Sequence, residues 1–257
     1  ASAIGAFRDR KSFDDVSAFS NFISAFPESR WRASLELNLG KDRFSNGYLT
    51  QALSLWQSSW EQSKGETDRL QRDVADAAVS ELLLLNARIG RMDELKKYFA
   101  EIEKRPILGS NEERVKSARE GFKRMSEKPS EAFKCGPFAI DSLLFKDSKN
   151  AQRSDIIEKA ESTSQGTSLS QVSDLAKQVG LKLQLAKRSS GASFVSPSII
   201  HFKLDHFAAI TAEKNGLYQI KDPTFGDAGS TWLTAKALDA ETDGYALVPE
   251  GALPKGW

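Results

Sequence analysis

The pattern of apolar and polar positions changes character about halfway along the chain. Up to about residue 128, apolar residues recur at helical spacing, as in 15-DVSAFSNFISAFPESRW-31, which is broken at Pro27. From about residue 130, helical stretches give way to short apolar or alternating runs typical of strands. Helices followed by an antiparallel sheet predict an α+β fold with two domains, residues 1–128 and 129–257.

The helical half carries a repeat that resembles tetratricopeptide helix pairs. Gly47 lies where the turn of one pair is expected, and Ala52 and Trp56 lie on its second helix. Ala18 and Phe22 precede Ala52 and Trp56 by 34 positions, which is the period of such repeats. The pattern therefore predicts a short tetratricopeptide-like array rather than a generic bundle.

A further unit over residues 77–103 places Gly90, Leu95 and Phe99 in the same order. Phe99 follows Trp56 by 43 positions, so we place an insertion within residues 61–73. Arrays of this kind bind peptides or partner proteins, and a short one can equally brace the domain that follows. Both roles stay open for residues 1–128.

The second half contains closely spaced strand signals. Thr167 or Ser168 can cap a helix that Gly180 ends, and the alternating KLQLAK follows. Lys214-Asn215-Gly216 predicts a hairpin turn between two of the later strands. Those later strands are predicted at 198-SIIHF-202, 206-HFAAIT-211, 217-LYQIKD-222 and 244-GYALV-248.

Composition and charge exclude several classes of protein. A formal net charge of +1 gives no bulk electrostatic case for binding nucleic acid. No apolar run approaches the roughly 18 residues that span a bilayer. A single cysteine rules out an internal disulfide and a zinc site built on several cysteines. The sequence indicates no cofactor and no metal site, and it predicts neither an oligomeric state nor a compartment.

Three residues could together form a nucleophilic site. Cys135 stands at the start of a predicted helix, where free backbone N–H groups favour a thiolate. His206 opens one strand of the predicted hairpin and Asp222 ends the other, so the two are expected side by side. A thiol nucleophile needs a base, and the base needs a group that orients its ring.

Plainer readings of these residues remain open. A lone cysteine is more often a buried apolar residue than a nucleophile. His206 borders the apolar run FAAI and could be a core histidine, and Asp222 could simply end a strand before Pro223. Asp205 and Asp227 are close enough in sequence to be confused with the orienting acid. His201, the other histidine, is expected on the other side of its strand or in the core.

The motifs around these residues resemble one family. The segments 135-CGPFAIDSLL-144, 168-SLSQVSDLAKQVGLKLQ-184, 198-SIIHFKLDHFAAIT-211 and 218-YQIKDPTFG-226 are similar, in the same order, to those of papain-like double-glycine leader peptidases. That family processes bacteriocins at ABC exporters. The resemblance covers about residues 130–250 and implies a papain-like fold, with a nucleophile helix packed on a small antiparallel sheet. It also implies that Cys135 is the nucleophile, His206 the base and Asp222 the orienting acid.

One position departs from the family pattern. The family usually has a glutamine six residues before the cysteine, which donates to the oxyanion, and Pro129 stands there instead. Ser130 or Gln165 could replace that donor. Two functions follow as expectations. The first is a thiol-dependent endopeptidase that cleaves an extended peptide or its own longer chain. The second is a peptidase-like module that, with the repeats, binds a peptide without cutting it.

The combination of repeats and peptidase carries a further, weaker resemblance. It is similar to the front ends of very large bacterial surface or RHS-type proteins. That resemblance implies a piece of a longer bacterial chain that is secreted or exposed at the cell surface.

Overall fold

A computed structural model describes residues 2–144, 155–225 and 229–257. The chain divides into two compact units, Ala1–Phe122 and Lys123–Trp257. The first unit is helical wherever it has regular structure, and the second carries a six-stranded antiparallel sheet. The predicted α+β class is therefore confirmed. Within the described residues, no helix is both long and apolar enough to cross a membrane.

Helices of the first unit pack on their neighbours in sequence. Helix α3 packs on α4, α4 on α5, and α5 on α6. The last helix, α7, continues past Phe122 into the residues assigned to the second unit. The helices are α1 (Ser2–Arg8), α2 (Ser17–Ala25), α3 (Arg32–Ser45), α4 (Leu49–Ser63), α5 (Arg69–Arg88), α6 (Met92–Glu101) and α7 (Ser110–Glu127).

The α3–α4 pair shows why small and large residues alternate in the repeat pattern. Trp56 is buried, and its indole N–H donates to the Leu37 carbonyl at 3.2 Å. A Cβ added at Gly40 would collide with that indole ring, so only glycine allows this close approach. Gly47 makes the turn between the helices with a φ of 82°. The tetratricopeptide-like assignment itself stays a prediction.

Helix α2 differs from the predicted repeat in the side chain that it buries. Phe19 is buried there, whereas Ala18 and Phe22 are only half-buried. Helix α1 packs against this side of α2. The ring of its Phe7 stacks on Phe19, with the ring centroids 4.1 Å apart.

The sheet of the second unit has the strand order β1-β6-β2-β3-β4-β5. Five of its strands occupy the predicted runs. The sequence pattern does not predict β5, which buries a single side chain, Leu233, at one edge of the sheet. The strands are β1 (Leu183–Lys187), β2 (Ser198–Phe202), β3 (His206–Lys214), β4 (Leu217–Lys221), β5 (Ser230–Thr234) and β6 (Thr242–Pro249).

Helices α9 and α11 pack against the central strands. Helix α9 contacts β3 and β2, and α11 contacts α9, β1 and β6. Their shared core includes Ile140, Val172, Ile199, Phe207 and Leu247. The helices of this unit are α8 (Pro129–Ala132), α9 (Cys135–Leu144), α10 (Asp155–Lys159), α11 (Leu169–Gln178) and α12 (Ala235–Glu241).

The β3–β4 hairpin determines which residues meet beside α9. Asn215 and Gly216 form its turn with φ angles of 55° and 76°, the left-handed conformation that such short hairpins require. Lys214 therefore pairs with Leu217, and Ala209 pairs with Lys221. This register brings the end of β4 back beside the start of β3.

Candidate active site

Cys135 is the first residue of helix α9. The first helical hydrogen bond runs from the Phe138 N–H to the Lys134 carbonyl, at 2.9 Å, so the thiol lies at the helix N-terminus. The positive end of the helix dipole favours a negative charge at this position. Cys135 is partly exposed, and the chain has no other cysteine. The thiol is therefore accessible enough to react, in a setting that favours its ionised form.

His206 and Asp222 form a buried pair at one end of the hairpin. His206 is the first residue of β3 and Asp222 directly follows β4. They are only 5% and 3% exposed. His206 Nε2 lies 2.6 Å from Asp222 Oδ2, a short hydrogen bond. The hairpin thus brings the two residues together, as the sequence pattern predicted from their positions on the strands.

The turn after β4 fixes Asp222 from several directions. The Asp222 N–H donates to the Gly229 carbonyl at 2.9 Å, and the Asp222 carbonyl accepts from the Phe225 N–H at 3.2 Å. Asp222 Oδ1 accepts the Thr224 N–H at 2.8 Å, which leaves Oδ2 for His206. Each carboxylate oxygen has a separate partner.

The hydrogen bonds define the proton positions on His206. An ionised Asp222 only accepts, so Nε2 carries the proton of that bond. The remaining nitrogen, Nδ1, is the one left for Cys135, and His206 and Cys135 shift each other's pKa toward the charged forms. The ring therefore links the thiol on one side to the carboxylate on the other.

Electrostatics favour the charged form of all three groups. Burial alone would raise the pKa of Cys135, but the hydrogen bond and charge of His206, with the N–H groups of Phe207 and Gly136, bring that pKa below its usual value. Burial alone would lower the pKa of His206, but Asp222 and then Cys135 raise it well above the usual value. Burial also opposes ionisation of Asp222, yet His206 and Thr224 lower its pKa. The arrangement stabilises thiolate, imidazolium and carboxylate together.

Asp205 and His201 take no part in the hydrogen bond between His206 and Asp222. Asp205 is exposed, in the turn before β3, with a φ of 53°. Asp227 lies outside the described residues, as does Gly226 of the quoted motif. His201 pairs with Asp243 at 2.6 Å from Nδ1 to Oδ2, and its ring packs on Phe207 with the ring centroids 4.7 Å apart.

The position six residues before Cys135 carries a backbone acceptor. Pro129 begins α8 and has no N–H, and its carbonyl accepts the Ser162 hydroxyl at 3.3 Å. The Ser130 carbonyl accepts the Ser162 N–H at 3.3 Å. Gln165 is exposed in the short turn closed by the Thr163–Gly166 bridge. At Cys135, the donor that the fold itself supplies is the backbone N–H at the start of α9.

Two contacts of the site went unpredicted from the sequence. One is the hydroxyl of Thr224, whose Oγ1 lies 3.3 Å from His206 Nε2. The other is the Phe207 N–H, which helps to lower the pKa of Cys135. Asp222 before a turn was an available signal, because aspartate side chains often accept the backbone N–H two residues further on, here that of Thr224. The Phe207 contact depends on how α9 docks on β3 and has no sequence signal.

A thiol at a helix N-terminus, a histidine that bonds to it, and a buried acid behind the histidine are the parts of a thiol-based hydrolase. Comparison with known proteins agrees with that class. The model of the Peptidase C39 family matches residues 126–252. The family resemblance found from the sequence is therefore confirmed for this part of the chain.

One solved structure is also similar. It is described as "Crystal structure of a double glycine motif protease from AMS/PCAT transporter in complex with the leader peptide". The similarity covers 46% of this chain and 84% of that chain, with 20% sequence identity and a TM-score of 0.37. No curated protein matches the chain.

Proposed function

We propose that residues 129–257 form a thiol-dependent endopeptidase with Cys135 as nucleophile, His206 as acid and base, and Asp222 as the acid that orients His206. The observation that carries the proposal is the buried His206–Asp222 pair, with 2.6 Å between Nε2 and Oδ2, together with Cys135 at the start of α9, since His206 and Cys135 each favour the charged form of the other. The match of residues 126–252 to the Peptidase C39 family supports the same reaction class. A buried charge is costly unless it is paired, so the buried His206–Asp222 pair next to a partly exposed thiol favours a chemical role.

The first half of the reaction would form an acyl-enzyme. The Cys135 thiolate attacks the carbonyl carbon of the scissile peptide bond, and the carbonyl π electrons move onto oxygen. The Cys135 N–H at the start of α9 donates to that oxyanion. As the C–N bond breaks, the proton on His206 Nδ1 passes to the leaving amine.

The second half would release the acid product. His206 Nδ1, now unprotonated, takes a proton from water, and the resulting hydroxide attacks the thioester carbon. The C–S bond breaks, the carboxylic acid leaves, and the thiolate–imidazolium pair forms again. Asp222 keeps Nε2 protonated throughout, so that Nδ1 always faces the reacting atoms.

The proposed substrate is an extended peptide with small residues such as glycine before the cleaved bond. This preference rests on the family resemblance of the motifs around Cys135, His206 and Asp222. Cleavage of a longer parent chain is a variant of the same activity. The helical repeats of the first unit would then present the substrate or bind a partner protein.

The test uses the single cysteine. The protein is incubated at pH 7 with a peptide vinyl sulfone ending in Gly-Gly, and the intact mass is recorded over time. We expect one adduct on the wild type, none on Cys135→Ser, and much slower labelling of His206→Ala. His201→Ala, which alters the other histidine–aspartate pair, should label like the wild type. A wild-type protein that labels no faster than His206→Ala would contradict the proposal.

A second candidate function is peptide binding without cleavage, and Pro129 favours it. A glutamine is usual there in the family, and loss of one oxyanion donor costs roughly 3 kcal/mol of transition-state stabilisation in a well-studied hydrolase. Mass spectrometry of a glycine-rich peptide library separates the two functions. Cleavage products that disappear in Cys135→Ser support the peptidase. Labelling of Cys135 by the vinyl sulfone without any cleavage supports the binding module.

A further inference from the structure

Thr224 touches both members of the buried histidine–aspartate pair. It lies in the 3-10 turn Pro223–Phe225 and is only 1% exposed. Its N–H donates to Asp222 Oδ1 at 2.8 Å, and its Oγ1 lies 3.3 Å from His206 Nε2. The Thr224 hydroxyl also hydrogen-bonds to the Asp222 carboxylate. One residue therefore contacts the pair through both its backbone and its side chain.

These contacts restrict how Asp222 can present its charge. A carboxylate can rotate about its Cβ–Cγ bond, and both of its oxygens can accept from His206. The Thr224 N–H occupies Oδ1, so Oδ2 is the oxygen that faces Nε2. Pro223 limits the backbone of this turn because its ring fixes φ. The carboxylate is thereby held in one orientation.

The hydroxyl adds a polar partner where an apolar side chain would be costly. Asp222 and His206 are both buried, and a buried ion pair is stabilised only when its remaining hydrogen-bonding positions are satisfied. A methyl group in place of the Thr224 hydroxyl would remove a donor from the carboxylate. His206 Nε2 would keep its hydrogen bond to Asp222 Oδ2 but lose its contact with the Thr224 hydroxyl.

We propose that Thr224 is a positioning residue of the site, whose hydroxyl and backbone N–H together hold Asp222 against His206 so that the imidazolium persists beside Cys135. This inference rests on the proposed function for its catalytic meaning. Its structural content, an effect of Thr224 on the protonation of His206, stands independently of whether any peptide is cleaved.

Two variants of Thr224 and one control variant test the role of its hydroxyl. Thr224→Val keeps the shape of the side chain and the backbone N–H but removes the hydroxyl. Thr224→Ser restores the hydroxyl and loses only a methyl group. Thr211→Val is the matched control, because Thr211 of β3 is equally buried and donates its hydroxyl to Gln219 Oε1 at 3.0 Å. If Thr224→Val does not fold, Thr224→Ala removes the same hydroxyl with a smaller side chain.

The first measurement is the titration of His206 by NMR after selective ¹⁵N labelling of the histidines. The chain has two histidines, so His201→Ala assigns the signals. We expect His206 in Thr224→Val to lose its imidazolium proton at lower pH than in the wild type. Thr224→Ser and Thr211→Val should titrate like the wild type. A residue that merely fills space would alter thermal stability and leave this titration unmoved, and that result would overturn the proposal.

The second measurement is the rate at which iodoacetamide alkylates Cys135 at pH 6. A hydrogen bond to a charged group changes its equilibrium by roughly tenfold or more, so we expect about tenfold slower alkylation of Thr224→Val. Wild-type rates in Thr224→Val would count against the proposal. Failure of the proposed peptidase function can be told apart from failure of the Thr224 proposal. A wild type that cleaves no peptide can still show a titration of His206 that depends on Thr224.

Discussion

At Cys135, ionisation depends on a balance between burial and nearby positive potential. Burial opposes the thiolate, while His206, two backbone N–H groups and the start of α9 favour it. The favourable contributions win, and the pKa of Cys135 lies below the usual value for a thiol. The pKa of His206 lies well above its usual value for the reciprocal reason. The thiolate and the imidazolium each make the other more stable.

This balance predicts the pH dependence of alkylation. Because the pKa of Cys135 is lowered, its thiolate persists at pH values where a free thiol is already protonated. The iodoacetamide rate of the wild type should therefore stay high in that pH range. In His206→Ala, the rate should fall about tenfold per pH unit below the thiol pKa, as for an unassisted cysteine. The measurement is the alkylation rate across pH 5 to 9 by intact mass, with His201→Ala as control. Parallel profiles for wild type and His206→Ala would refute this assignment.

The sequence predicted these three residues for reasons that are local or nearly so. A cysteine at a helix start and a hairpin with a two-residue turn are visible in short stretches, and the turn fixes where His206 and Asp222 fall. The contacts of Thr224 and of the Phe207 N–H could not be predicted from such local signals. Their importance depends on hydrogen bonds to groups that only the folded turn and the docked helix bring within reach.

At the scale of elements, the contact between α9 and α11 holds Cys135 in place. Gly136, the second residue of α9, faces this contact. A Cβ built there would lie 2.5 Å from Val172 Cγ2 and 2.7 Å from Thr167 Oγ1. These distances are too short for real carbon contacts. Glycine at this position therefore lets α9 approach α11 closely, and it keeps Cys135 beside His206.

We expect Gly136→Ala to destabilise the protein, although alanine is the better helix former by about 1 kcal/mol. Overpacking of this kind typically costs about 1–3 kcal/mol, and a shift of α9 should also slow alkylation of Cys135 at pH 6. The measurements are urea unfolding and the alkylation rate. Gly121→Ala in α7 is the matched control, since its Cβ would meet Ala87 Cβ at an ordinary 3.5 Å. Equal behaviour of the two variants would argue against the tight contact.

Elements with strong local signals were predicted well, and weakly patterned ones were not. Of the two cap candidates for α11, Ser168 is the residue that caps it. Its hydroxyl accepts the Gln171 N–H at 3.2 Å, and Gln171 Oε1 accepts the Ser168 N–H at 2.7 Å. Helix α12 was not predicted although it has such a signal, since the Thr234 hydroxyl accepts the Ala237 N–H at 3.1 Å. Strand β5 buries only Leu233 and has a weak pattern of its own. Strand β5 lies at the sheet edge, where pairing with β4 decides the structure more than its own side chains do.

At the scale of the molecule, the candidate site belongs to one unit. The hydrogen bonds that define it join residues of α9, β3 and the turn after β4, all within Lys123–Trp257. A unit of this length is large enough for its own core, and α9, α11 and the sheet supply one. The sequence predicted the change from helices to strands because the two halves differ in periodicity.

This organisation predicts that residues 128–257 fold alone with a working thiol. A start at Lys128 follows the last residue of α7 and precedes α8, so it cuts no helix. We expect the shortened protein to unfold cooperatively and to show the same pH profile of Cys135 alkylation as the full chain, because no partner identified for Cys135, His206 or Asp222 lies outside it. The same fragment with Cys135→Ser controls for other sites of labelling. A folded fragment whose alkylation follows that of His206→Ala would mean that the helical unit helps to organise the site.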